Sequence, residues 1–146
     1  MKPGLKPLQL SYYGLYLLSY LTENQPNLLS NTDLIEERAN HATDSYEQAR
    51  LEGYTVEGAQ ELAMATLLQG LHFSKFNTLI EVLWNEFEQE VPQGKATELA
   101  FKLLPSLERV FSKYSLTDDF AYSGKYNILY SELTGAMLLY LEEYGI

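Results

Sequence analysis

The side chains best spaced to do chemistry in this sequence are Glu37, His41 and Asp44, which at i, i+4 and i+7 fall on one face of a helix. Two carboxylates and an imidazole begin a site for a divalent metal, but closing the coordination shell needs donors from another element. His72 is the only other histidine, and nothing in the sequence brings it near. A solvated acidic face is the simpler reading, since carboxylates three and four residues from a histidine are common on such helices. No metal and no other cofactor is expected. Hydrolysis by a carboxylate pair is the second chemistry to weigh, because it needs only two Asp or Glu residues. Asp118 with Asp119, or Glu86 beside Trp84, would serve, yet with twenty acids in the chain some pair always exists. There is no cysteine for nucleophilic or thiolate chemistry, and glycine-rich phosphate loops, the serine elbow and the paired-histidine zinc motif are all missing. No catalytic residue is assigned, and a non-enzyme is expected.

Helices must position these residues, because apolar residues recur with helical period almost throughout. Leu10, Tyr13, Gly14, Leu17, Leu18 and Leu21 line one side of a first helix, with Tyr12, Tyr16, Ser19 and Glu23 opposite and a stop near Asn24 imposed by Pro26. A second helix runs from Asp33, which has capping-box spacing to Glu36, to a left-handed stop at Gly53; its inward stripe is Ile35, Ala39, Ala42, Tyr46 and Ala49. Thr55 caps a third, where Val56, Ala59, Ala63, Leu67 and Gly70 are flanked by Leu62, Met64, Leu68 and Leu71, a width that predicts a central helix. Ser74 caps a fourth, with Phe76, Leu79, Ile80, Leu83 and Phe87 inward and Glu81, Asn85 and Glu88 outward. From Ala96 to Tyr114 one phase continues across Pro105, which predicts a kinked helix or two short collinear ones. A single turn over Asp118 to Tyr122, capped by Thr117, precedes a last helix carrying Tyr126, Leu129, Tyr130, Leu133, Met137, Tyr140, Leu141 and Tyr144. Mid-helix glycines at 14 and 135 are expected to mark close helix crossings. No run alternates as a strand does. The predicted fold is all-α, a single-domain bundle of six or seven helices over residues 1–146, one of them kinked at Pro105.

Composition narrows the possible partners. The chain of 146 residues carries a net charge of -10, and its ten bases are dispersed, so direct nucleic-acid binding is not expected. Acids concentrate instead between Asp33 and Glu61, where only Arg38 and Arg50 interrupt them, and again at Glu81, Glu86, Glu88 and Glu90. Twelve tyrosines join a large apolar body to a polar tip, and Tyr12 and Tyr16 lie off the leucine stripe. Either such tyrosines cover a neighbouring helix or they anchor a partner. Lys2 and Lys6 before the apolar stretch Leu8 to Leu21 imitate an export signal, but no small-residue cleavage site follows and Gln9, Ser11 and Ser19 interrupt it. The stretch is also shorter than the roughly 20 residues of a membrane span. A soluble, cytoplasmic protein without membrane contact is expected.

The strings LSYYGLYLLSYL (10–21), LAMATLLQGLHFSKFNTLIEVLWNEF (62–87), DDFAY (118–122) and ELTGAMLLYLEEYGI (132–146) resemble a family of short uncharacterised proteins, a domain of unknown function of Bacteroidetes-type bacteria often encoded in conjugative-transposon regions. That resemblance implies an all-helical fold and a mobile-element setting, and it brings no catalytic or ligand residues. The expected role is an acidic protein-interaction module, self-associating or docking a basic partner through Tyr12, Tyr16, Glu36, Glu37, Asp44, Glu47, Glu86 and Glu88. Two alternatives are an acidic decoy of a DNA-binding protein and a small hydrolase using a carboxylate pair.

Overall fold

The computed structural model describes residues 11–145, which hold seven α-helices and no strand. Residues 1–10, with Lys2, Lys6 and Leu10, lie outside the described residues. The chain divides into two compact units, residues 1–69 and 70–146. Their boundary falls in the connection from Gln69 to Ser74, where sequence periodicity alone marks only a loop.

The first unit contains α1 (Tyr12–Asn24), α2 (Thr32–Leu51) and α3 (Val56–Leu68). Ser11 caps α1 by accepting from the Gly14 amide, and the helix ends before Pro26, which opens a 3-10 turn. Tyr13, Gly14, Leu17 and Leu21 are buried, as the period predicts. The start of α2 differs from expectation: Asn31, not Asp33, is the cap, its side-chain oxygen accepting from the Leu34 amide at 3.1 Å. Asp33 then sits in the first turn, where a carboxylate favours the helix dipole. At the other end Gly53 adopts φ +97°, its amide donates to the Arg50 carbonyl, and the Tyr54 amide reaches back to the Ala49 carbonyl. Those paired bonds form a Schellman stop, which only a residue at ease in the left-handed region supports. Thr55 caps α3 as predicted. Of its wide apolar surface, Ala59, Ala63 and Leu67 are buried and Met64 and Leu68 half-buried, while Val56 and Leu62 stay exposed.

The second unit contains α4 (Lys75–Glu86), α5 (Ala96–Leu103), α6 (Glu108–Phe111) and α7 (Lys125–Tyr144). Ser74 caps α4, whose inward residues Phe76, Leu79, Ile80 and Leu83 join Leu99, Leu103, Phe111, Leu129, Leu133 and Met137 in one continuous core. Burying such side chains contributes roughly 1.5–3 kcal/mol each relative to exposure. Pro105 takes the broken rather than the kinked form: it has no N–H to donate to Phe101, so α5 stops at Leu103 and α6 restarts at Glu108. Leu104 and Leu107 still point inward, which explains why the apolar phase runs on through the break. Gly14 is buried, but a Cβ on Gly135 would meet nothing within 4 Å, so Gly135 marks no close crossing.

Candidate functional site

Three of the residues that sequence reading selects for chemistry, His72, Asp118 and Asp119, meet at one place in the second unit, the connection between α6 and α7. Asp118 lies in a turn that leads through Asp119 into a 3-10 helix, Phe120–Tyr122, packed on the core through Phe120. Thr117 does not cap this turn with its side chain; its hydroxyl donates to Asp119 Oδ1 at 2.7 Å, and its carbonyl accepts from the Phe120 amide. The Asp118 carboxylate points toward the start of the unit. Its Oδ2 accepts from the Gly70 amide at 2.9 Å, its Oδ1 from the His72 amide at 3.0 Å, and His72 Nδ1 lies 3.1 Å from Oδ2. Partial burial pushes this carboxyl up, but the two amides and the imidazole outweigh it and hold the acid below its ordinary value. A general acid requires the opposite shift. Asp118 therefore suits a structural clamp better than half of a hydrolytic pair, and a groove of about 670 Å³ lined by His72, Asp118, Asp119 and Tyr122 runs beside it.

Tyrosine, the residue type in greatest excess, stitches the same unit. Tyr126 and Tyr130 on α7 pack their rings against the core and donate their hydroxyls to Glu81 and Glu86 on α4. Tyr114 donates to Glu132, which also pairs with Lys113. Burial, then the bond to Glu81, pushes the Tyr126 phenol well up; burial raises Tyr130, with Glu86 adding to it, and the bond to Glu132 raises Tyr114. Because these folded-state values exceed the ordinary tyrosine value of 10.0, the stabilisation is complete below about pH 10 and is lost as pH rises above it, where the unfolded chain ionises first. Tyr126→Phe is expected to flatten that alkaline loss when stability is followed against pH by circular dichroism; an unchanged profile would dismiss the pairing.

The remaining selected residues stay apart. Glu37, His41 and Asp44 share the exposed face of α2, and among the described residues no three His, Cys, Asp or Glu side chains are arranged to hold a metal. His72 is engaged with Asp118 in the second unit. Glu36, Glu37, Asp44 and Glu47 are all exposed on α2, and Glu86 and Glu88 are exposed at the end of α4, with Glu86 accepting from Tyr130. Tyr12 and Tyr16 are 61% and 41% exposed, their ring centroids 6.4 Å apart, whereas Tyr13 between them is buried and donates to Gln60 at 2.6 Å. Trp84 is half exposed. Sequence reading missed the Asp118 clamp on Gly70 and His72 and the tyrosine bonds to Glu81, Glu86 and Glu132. No helix among the described residues is long and apolar enough to cross a membrane.

No curated protein matches the chain. Among solved structures, the crystal structure of protein PG0816 from Porphyromonas gingivalis is similar to it, with 40% identity and a TM-score of 0.89 over 97% of each chain. A Porphyromonas relative fits the Bacteroidetes resemblance, and the all-helical fold that resemblance implied is the fold observed. A family model described as a domain of unknown function, DUF1896, matches residues 6–146, so nearly the whole sequence is accounted for, and the chain belongs to that family.

Proposed function

We propose that the protein is a non-catalytic interaction module whose acidic first unit docks a basic protein partner. The observation that supports this most directly is where the unit's arginines point. Residues 11–69 hold nine carboxylates and two arginines, a net charge of -7. Arg38 donates to the Leu67 carbonyl at 3.0 Å and Arg50 to the Tyr54 carbonyl at 2.9 Å, so both cations are spent on helix ends. No ion pair occurs among the described residues of this unit; the four present all lie in the second. The α2 carboxylates therefore keep their field directed at solvent, where it steers an oppositely charged surface. Tyr12 and Tyr16 supply exposed aromatic anchors that a partner desolvates, and aromatic anchors contribute most of the energy of typical interfaces.

The test is affinity capture of the tagged protein from its host, washed at low and high salt, beside a variant carrying Glu36→Gln, Glu37→Gln, Asp44→Asn and Glu47→Gln. Wild type should hold a basic protein that leaves at high salt, and the variant should hold it at least about tenfold less tightly. Equal retention by both sinks the reading. If the captured protein binds DNA, competition with duplex DNA then distinguishes a decoy from an ordinary docking surface.

A further inference from the structure

We propose that the protein pairs with a second copy of itself through the exposed face of α7, the two helices crossing antiparallel at Ser131 and Gly135. The side of α7 that carries Leu129, Leu133 and Met137 is buried in the core, and on the opposite side Ile128, Ser131, Gly135, Leu138 and Leu139 share one exposed stripe. Ile128, Leu138 and Leu139 are 58%, 48% and 67% exposed, although each is a large aliphatic side chain. Gly135 sits in the middle of this stripe. Glycine weakens a helix interior relative to alanine, and nothing within the chain requires it there: its φ is not positive, and a Cβ would meet nothing within 4 Å. A second helix laid on the stripe supplies the reason, because Ser131 and Gly135 let its backbone approach closely.

Charge selects a second copy as the occupant. Lys125 opens the stripe and Glu142 closes it, both exposed, and neither enters an ion pair among the described residues. Glu132, at the edge of the stripe, is already held by Lys113 and Tyr114. The spacing is self-complementary. In sequence the midpoint of Ser131 and Gly135 is also the midpoint of Ile128 and Leu138 and, within half a residue, of Lys125 and Glu142. A two-fold axis through that point brings Ile128 of each copy against Leu138 of the other, and Lys125 of each against Glu142 of the other, over a helix face about 26 Å long. Parallel pairing would set lysine against lysine and glutamate against glutamate. The stripe also opens at each end on a groove with room for a side chain of the other copy, one of about 750 Å³ beside Tyr122 and Ile128 and one of about 450 Å³ beside Val110 and Leu139. Repulsion between two chains of charge -10 is screened beyond about 8 Å at physiological salt, whereas these pairs are in contact.

Sedimentation equilibrium of the full chain tests this. Wild type should dimerise with a dissociation constant of roughly 1–100 µM, as befits a small interface of one helix from each copy. Gly135→Arg puts a long charged side chain into the crossing but into open space in the single copy, so it should weaken pairing at least about tenfold. Lys125→Glu alone and Glu142→Lys alone should each weaken it by at least about tenfold, since symmetry sets two like-charge contacts in every dimer, and the two together should restore it to within about threefold of wild type. All three positions are exposed, so loss of pairing with unchanged far-ultraviolet circular dichroism reads the interface and not the fold. A single copy at every concentration up to about 1 mM overturns the proposal. A dimer that Gly135→Arg leaves intact also overturns it, because the interface would then lie elsewhere. Failure of the doubled charge exchange to restore pairing overturns it too, since the helices would not be antiparallel in this register. None of these outcomes bears on the acidic docking surface, which belongs to the first unit.

Discussion

Replacing Phe111 with alanine is expected to remove about 3–5 kcal/mol from the stability of the second unit, the range for truncating a fully buried aromatic. Phe111 has no exposed surface and is the largest of the completely buried side chains. It also ends α6, a helix of four residues that cannot persist on its own hydrogen bonds and depends on what it buries. The ring is held from the side as well. Lys75 Nζ sits 5.6 Å from its centroid and pairs with Glu108 at 2.7 Å, so the first residue of α4 straps both ends of α6. Truncation removes the packing and leaves the strap holding α6 by its Glu108 end. Because two compact units need not unfold together, the loss should be read residue by residue in denaturant-dependent hydrogen exchange, where α4 and α7 respond and α2 does not. A loss below about 1 kcal/mol would mean that the core collapses onto the gap, contradicting the packing described.

Phe111 is legible in the sequence, and the reason separates what was readable from what was not. Its place in the row Leu103, Leu107, Val110 and Phe111 follows from helical period, which reports which side of a helix faces inward whatever it faces. Caps at Thr55 and Ser74 follow from local hydrogen bonding in the same way. Such information is short in range. The Asp118 bonds to Gly70 and His72 span 48 and 46 residues, and the Tyr126 and Tyr130 bonds to Glu81 and Glu86 span 45 and 44, distances over which no spacing rule operates. Tyrosine on a half-buried stripe announced a polar tip needing a partner, yet twenty carboxylates offered too many candidates to choose from. Failures at intermediate range have physical causes too. Asn31 outcompeted Asp33 as a cap because both offer the right side chain and only the chain's entry angle decides. The width of α3's apolar surface overstated its burial because periodicity counts apolar residues and not the neighbours available to cover them.

Ala63→Leu should destabilise the first unit by about 1–3 kcal/mol, an overpacking cost, while the same change at the exposed neighbour Ala65 should stay within about 0.5 kcal/mol. Ala63 is completely buried, and the seam it belongs to consists of small residues on both helices: Ala39, Ala42 and Ala49 on α2, Ala59 and Ala63 on α3. Small side chains let two backbones approach closely, and the approach leaves no volume for an isobutyl group. Two bonds depend on that closeness. Thr66 Oγ1 lies 3.4 Å from Ser45 Oγ across the seam, and Arg38 reaches from α2 to the Leu67 carbonyl of α3. Separating the helices would break the second bond, releasing the Arg38 guanidinium into the acidic surroundings of α2. The variant should therefore lose part of its salt-sensitive partner binding as well as its stability, although the altered residue is buried and uncharged. Ala65→Leu, on the exposed face, should do neither. Measured by thermal unfolding and by salt-dependent capture, equal behaviour of the two leucine variants would show that the seam is loose, and that nothing holds the arginine away from the acids.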